Sequence, residues 1–102
     1  MQERFRRQTF EPLLGGTFRL QGAEGETLDL KLVQIRETPK PAEDFECFSL
    51  LFKGPPDRTF EQGLVFLKHE TAGEFHLFLV PVDRDEQGFS YEAVFNLKTA
   101  VL

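Results

Sequence analysis

Short runs in which apolar and polar residues alternate, each closed by glycine or proline, constrain this chain more than any other feature. Phe18 and Leu20 alternate with Thr17, Arg19 and Gln21, and Leu28, Leu30 and Leu32 alternate with Asp29 and Lys31. A period of two is that of a strand with one buried face, whereas a helix returns to its buried face every third or fourth residue. The phase then slips, because Val33 and Ile35 take the odd positions. One extra residue near Leu32-Val33, a β-bulge, restores a continuous strand. Residues 37–44 hold two prolines and three acids and read as a loop. In the next run Phe48, Leu50 and Phe52 face one way and Cys47 and Ser49 the other, until Gly54-Pro55-Pro56-Asp57 ends it.

The runs Gly63 to Glu70 and Glu74 to Val82 form a hairpin around Thr71-Ala72-Gly73. Leu64, Val65, Phe66 and Leu67 make the first apolar on both faces, and Phe75, Leu77, Phe78, Leu79 and Val80 do so for the second. Such strands are central, or are covered by another element or a partner. After the acidic turn Asp83 to Gly88, Phe89, Tyr91, Ala93 and Phe95 define a last strand. Ahead of all this, Thr9 to Leu14 reads as one helical turn with Thr9 as cap, Pro12 in the first turn and Gly15 at its close. Phe10, Leu13 and Leu14 would be its apolar plug. The expectation is an all-β fold: a small six-stranded antiparallel barrel or sandwich with one short N-terminal helical turn. Strand order, and the choice between barrel and sandwich, stay open. With no internal repeat or linker, residues 1–102 read as a single domain, with a basic head at 1–8, the β domain at 9–97 and a tail at 98–102.

A chain of 102 residues can bury roughly 65% of its unfolded surface, enough for one core without metal or disulfide. Its apolar content is unusual: 12 Phe, one Tyr and no Trp. Phe has no polar handle, so most of them should anchor the core. The net charge is −5, yet residues 1–7 carry three arginines against one glutamate, so the body is more acidic than the whole. An acidic body argues against nucleic acid and against anionic membranes as partners. No run approaches the roughly 20 apolar residues of a membrane span, and no apolar stretch follows the basic head as in a signal peptide. With Cys47 as the sole cysteine, the default expectation is a cytoplasmic protein.

Candidate chemistry is sparse. If Ala72-Gly73 are the two central residues of the hairpin turn, His69 lies opposite His76 and Thr71 opposite Glu74. Two imidazoles and a carboxylate are a divalent-metal set, so His69, Glu74 and His76 form the one candidate metal cluster. A three-residue turn separates the pair, and loop-tip histidines without a ligand role are the commoner case, so no metal or cofactor is assigned. Asp83, Asp85 and Gly88 match three positions of a calcium loop, but Gln87 and Val94 stand where further ligands belong. Ser49 and Ser90 lie in strand runs without a glycine-flanked elbow, and Cys47 reads as a small strand residue. No phosphate-binding glycine motif is present, and no catalytic residue is assigned. Phe5 and Phe60 lie in otherwise polar segments, as interface anchors or as satellites of the core.

Several segments together carry a resemblance: Phe10 with Leu14-Gly15, Phe18, Phe48 through Pro55, Gln62-Gly63, His69-Glu70, Gly73, Phe78 through Val82, and Tyr91 through Asn96. Over about residues 8–97 the chain resembles a family of small bacterial domains of unknown function. The resemblance implies an association with phage-tail-collar-like proteins, and hence an accessory or assembly role. His69 belongs to the resembling pattern and His76 does not.

The expectation drawn from all this is a non-enzymatic module that binds another protein, in a phage-tail-like or surface assembly. The alternative is a small-ligand or metal-binding barrel with hydrolytic activity. A third reading is a homo-oligomer in which Val65, Leu67, Phe78 and Val80 pack across a symmetry axis.

Overall fold

The computed structural model describes residues 7–22, 25, 27–40, 42–43 and 45–98. A short helix α1 (Arg7–Phe10) runs into a 3-10 turn (Glu11–Leu13). Six strands follow: β1 (Thr17–Gln21), β2 (Thr27–Glu37), β3 (Phe45–Lys53), β4 (Gly63–His69), β5 (Gly73–Asp85) and β6 (Gly88–Lys98). Their order is β1-β2-β3-β6-β5-β4, and β4 pairs back onto β1, so the sheet closes into a barrel. Every pairing is antiparallel. The barrel is thus two three-strand meanders, β1–β3 and β4–β6, joined by the segment 54–62, which crosses one mouth to the far side of the ring. The sandwich alternative is excluded by that closure.

Closure demands strong bending, and the sequence supplies it at two points. The β2–β3 register shifts between Leu32 and Gln34, where the slip of phase places it. A second shift lies between Pro81 and Asp83 in β5. Pro81 has no N–H to give to a ladder, and it is tolerated inside a long strand because the ladder is already interrupted there.

The alternation delivers one face to a single core of Phe18, Leu20, Leu28, Leu30, Leu32, Phe48, Leu50, Phe52, Leu67, Phe75, Leu77, Leu79, Tyr91 and Ala93. Of the phenylalanines, Phe10, Phe18, Phe48, Phe52 and Phe75 are buried, and Phe60, Phe89 and Phe95 pack against them. Each full burial contributes about 2–3 kcal/mol, so the Phe-rich composition is spent largely on the core.

The two mouths are sealed differently. At one, α1 inserts Phe10, fully buried, with ring centroids 5.3 Å from Phe75, 6.0 Å from Phe95 and 6.3 Å from Phe48. The helix begins two residues before the expected Thr9 cap, and Pro12 falls in the 3-10 turn, where its missing N–H costs nothing. Leu14 is 53% exposed and takes no part in the plug that Phe10 and Leu13 make. Gly15 (φ +88°) does not simply end the helix: its N–H donates to the Leu32 carbonyl, and the Leu32 N–H donates to the Gly16 carbonyl, so the glycines feed the chain into β1 beside β2.

At the other mouth, Phe60 of the crossing segment stacks on Tyr91 at 4.3 Å and 11°, and the Tyr91 hydroxyl donates to Thr59 Oγ1 at 3.2 Å. The Gly54 N–H donates to the Phe89 carbonyl at 2.8 Å. Gly88 (φ +146°) passes so close that a Cβ there would stand 1.7 Å from the Gly54 carbonyl oxygen. Between Asp85 and Gly88 the expected acidic turn tightens to two residues, Glu86-Gln87. Asp85 Oδ1 accepts from the Gln87 and Gly88 N–H groups, and Lys53 Nζ donates to Oδ2 at 2.9 Å.

Three stability measurements follow from this packing. Phe10→Ala opens one mouth and should cost about 3–5 kcal/mol in urea unfolding. Gly88→Ala, where neither φ nor space admits a side chain, should cost about 3 kcal/mol or more; an unchanged midpoint would refute the close passage of Gly54 and Gly88. The third is pH dependence. The Lys53 hydrogen bond, then the Gln87 N–H, lower the Asp85 pKa below its ordinary 3.8, with desolvation opposing and the Lys53 charge and the Gly88 N–H adding. A folded pKa below the unfolded one means stabilisation that is complete above the ordinary carboxylate range and lost as pH falls through the folded value. Asp85→Asn should therefore be less stable than the parent at pH 7, and the gap should close toward about pH 2.

Candidate functional site

Two regions of the outer surface stand apart from an ordinary solvated face. The first lies on β4–β6. Leu64 and Phe78 are directly paired across β4 and β5, both pointing outward, and are 71% and 53% exposed. Val82 and Val94 are also exposed, and Phe66 and Val80 are half-buried. The sequence expectation of strands apolar on both faces holds here, and its cause is now visible. The inner face fills the core, while α1 sits in a mouth and leaves the outer face of this hairpin open. The symmetry-axis grouping of Val65, Leu67, Phe78 and Val80 does not survive: Leu67 is fully buried inside the barrel and Val65 packs against the same core, while Phe78 and Val80 point outward.

The second region lies across the ring, on the outer face of β1–β3 and beneath the crossing segment. Register places Lys31 between Thr17 of β1 and Lys53 of β3, and pairs Arg19 with Asp29 one step along. Arg19 Nε donates to Asp29 Oδ1 at 3.0 Å, and that hydrogen bond and charge raise the Arg19 pKa further. Arg58 of the crossing segment donates to the Thr27 carbonyl. These side chains line a hollow of about 710 Å³ that Asp29 alone among its lining residues counters.

The candidate metal cluster is not assembled. The β4–β5 turn has three residues, Glu70 to Ala72, so His69 pairs with Gly73, His76 with Phe66 and Glu74 with Lys68. A shift to this register puts His69 on the inner side and His76 on the outer, because side chains alternate along a strand. Among the described residues no three His, Cys, Asp or Glu come together as a metal site. His69 instead builds the turn: its Nδ1 accepts from the Thr71 and Ala72 N–H groups, each at 3.1 Å, and its ring lies 4.9 Å from that of Phe18. Gly16 leaves room for it, since a Cβ there would stand 3.2 Å from Nε2. The His76 ring rests 4.7 Å from Phe66 on the outside.

The other singled-out residues fall as follows. Cys47, Ser49 and Ser90 are buried. Asp83 accepts from the Arg84 N–H and Asp85 is tied to Lys53, as in a solvated hairpin turn. Phe60 is a satellite of the core. Phe5 and the arginines at 4 and 6 lie outside the described residues; Arg7 pairs with Glu11 and Glu37. The hollow around Lys31 was not legible in the sequence, because its cations come from β1, β2, β3 and the crossing segment. Only the cross-strand register unites them.

No helix among the described residues is long and apolar enough to cross a membrane. No curated protein and no solved structure matches the chain. A family model does match, over residues 5–95, nearly the whole barrel. The chain therefore belongs to the DUF6916 family, a domain of unknown function.

Proposed function

We propose that the protein is a non-enzymatic interaction module that docks a different protein through the outer face of β4–β6. The observation that carries this reading is the exposed Leu64–Phe78 pair, with Val82 further along β5 and Val94 on β6 also exposed. Exposed aromatics and aliphatics grouped on one face are the usual anchors of a protein interface. Each strand of the ring has two neighbours, and these side chains stand on its outer face, so a partner meets this face through side chains. The net charge of −5 selects the partner's chemistry. A second copy would bring equal acidic charge to the contact, whereas a different protein with an apolar patch and a basic surround is attracted. A role in an assembly of the phage-tail or surface type is the finer form of this proposal.

Leu64→Asp and Phe78→Asp alter exposed positions, so both variants should fold with midpoints within a few degrees of the parent. Parallel affinity captures from the native host should yield a stoichiometric protein with the parent and lose it with either variant. Raised salt should weaken that capture. Identical captures with all three proteins would overturn the reading. So would light scattering that shows a parent dimer broken by Phe78→Asp, which would assign the face to a second copy.

A further inference from the structure

The hollow on β1–β3 concentrates positive charge on an otherwise acidic protein. Among the described residues, four Lys and Arg line it, against Asp29 alone. Two of the four are spoken for, Arg19 by Asp29 and Lys53 by Asp85. Among the described residues, Lys31 and Arg58 have no carboxylate partner. Lys31 also sits directly opposite Lys53. Like charges in that position have Cβ atoms about 5 Å apart and destabilise the pair. Asp85 offsets this charge for Lys53, and an anion held beside Lys31 would offset it there.

The charge count selects the anion. Two cations with no carboxylate partner among the described residues match the dianion of a phosphate monoester better than a single carboxylate. A lysine ammonium serves such a group as a point charge, and the guanidinium of Arg58 adds directed donors.

The neighbouring space selects the rest of the molecule. The hollow adjoins a second of about 420 Å³, and the two share Thr27, Leu28 and Arg58. The second reaches Leu20 and Phe60, the latter already stacked by one face on Tyr91. Its character is apolar and aromatic, and the volumes fall in the roughly 300–1,000 Å³ range of small-molecule sites. A long polyanion is disfavoured, because the surrounding body is acidic.

We propose that these adjoining hollows form one site for a small organic phosphate that carries an apolar or aromatic group. The phosphate lies between Lys31 and Arg58, beside Lys53, and the apolar group lies against Leu20 and Phe60. The site is across the barrel from the β4–β6 face and does not depend on it.

Titration calorimetry of the full chain with phenyl phosphate, inorganic phosphate and phenol tests this. Phenyl phosphate should bind about tenfold or more tightly than inorganic phosphate, and phenol should give no heat. Lys31→Glu should weaken phenyl phosphate binding by about tenfold or more while the thermal midpoint of the free protein holds or rises, since the charge opposite Lys53 is now favourable. Lys31→Ala should weaken binding in the same direction. A merely structural lysine would lower the midpoint and leave binding alone. No heat with phenyl phosphate at millimolar concentration overturns the proposal, as does an affinity indifferent to both Lys31 variants. Equal competition by a short DNA duplex would also overturn it, by assigning the charge to a general polyanion surface.

Discussion

The three-residue ladder between β1 and β4 joins the ends of two meanders and turns a sheet into a ring. Arg19 pairs with Lys68, Leu20 with Leu67 and Gln21 with Phe66. Without that ladder, β1 and β4 would be exposed edges and the core would lie open along one side. With it, every strand has two neighbours and the exposed edge of the sheet is reduced. The bends that make it possible are local: the interruptions at Leu32–Gln34 and Pro81–Asp83 let β2 and β5, on opposite sides of the ring, curl toward closure.

Closure creates two mouths, and each is sealed by means its residues allow. A single turn of helix is too short to persist alone, so α1 depends on Phe10 packing among Phe48, Phe75 and Phe95. The crossing segment has no regular structure and is held by stacking of Phe60 on Tyr91, the Gly54–Phe89 hydrogen bond and the close passage of Gly88. The second seal is the more permissive, because part of its surface is a hollow lined by Leu20, Leu28 and Phe60. Structure at that mouth is therefore coupled to the basic face beside it through Arg58, which bonds the β2 backbone at Thr27.

Ring closure also determines how such a domain meets other molecules. The outward side chains and the mouths are the surfaces it offers for recognition. β2 and β5 stand across the ring from one another. The apolar outer face of β4–β6 and the cationic face around β2 are thus separated by the core, and each is free to act without occupying the other.

The alternation in single runs was enough to place most strands, the β2 bulge and most of the core, because burial on one face is a local property of spacing; capping residues marked the helical turn, though it starts at Arg7 and leaves Leu14 exposed. Residue spacing likewise marked a turn near Asp83–Gly88, which the strands narrow to Glu86-Gln87, and it showed β4 and β5 apolar on both faces, although the outer face expected to be covered is exposed. What local spacing does not fix is pairing. A turn of three residues instead of two moved His69 inside and left His76 outside, dissolving a metal set that depended on register. The same dependence hid the cationic hollow, whose Lys31 and Lys53 lie on different strands and meet only across the ladder. The choice of barrel over sandwich rested on β1 finding β4, a contact between distant segments whose energy is gained only when the whole ring forms.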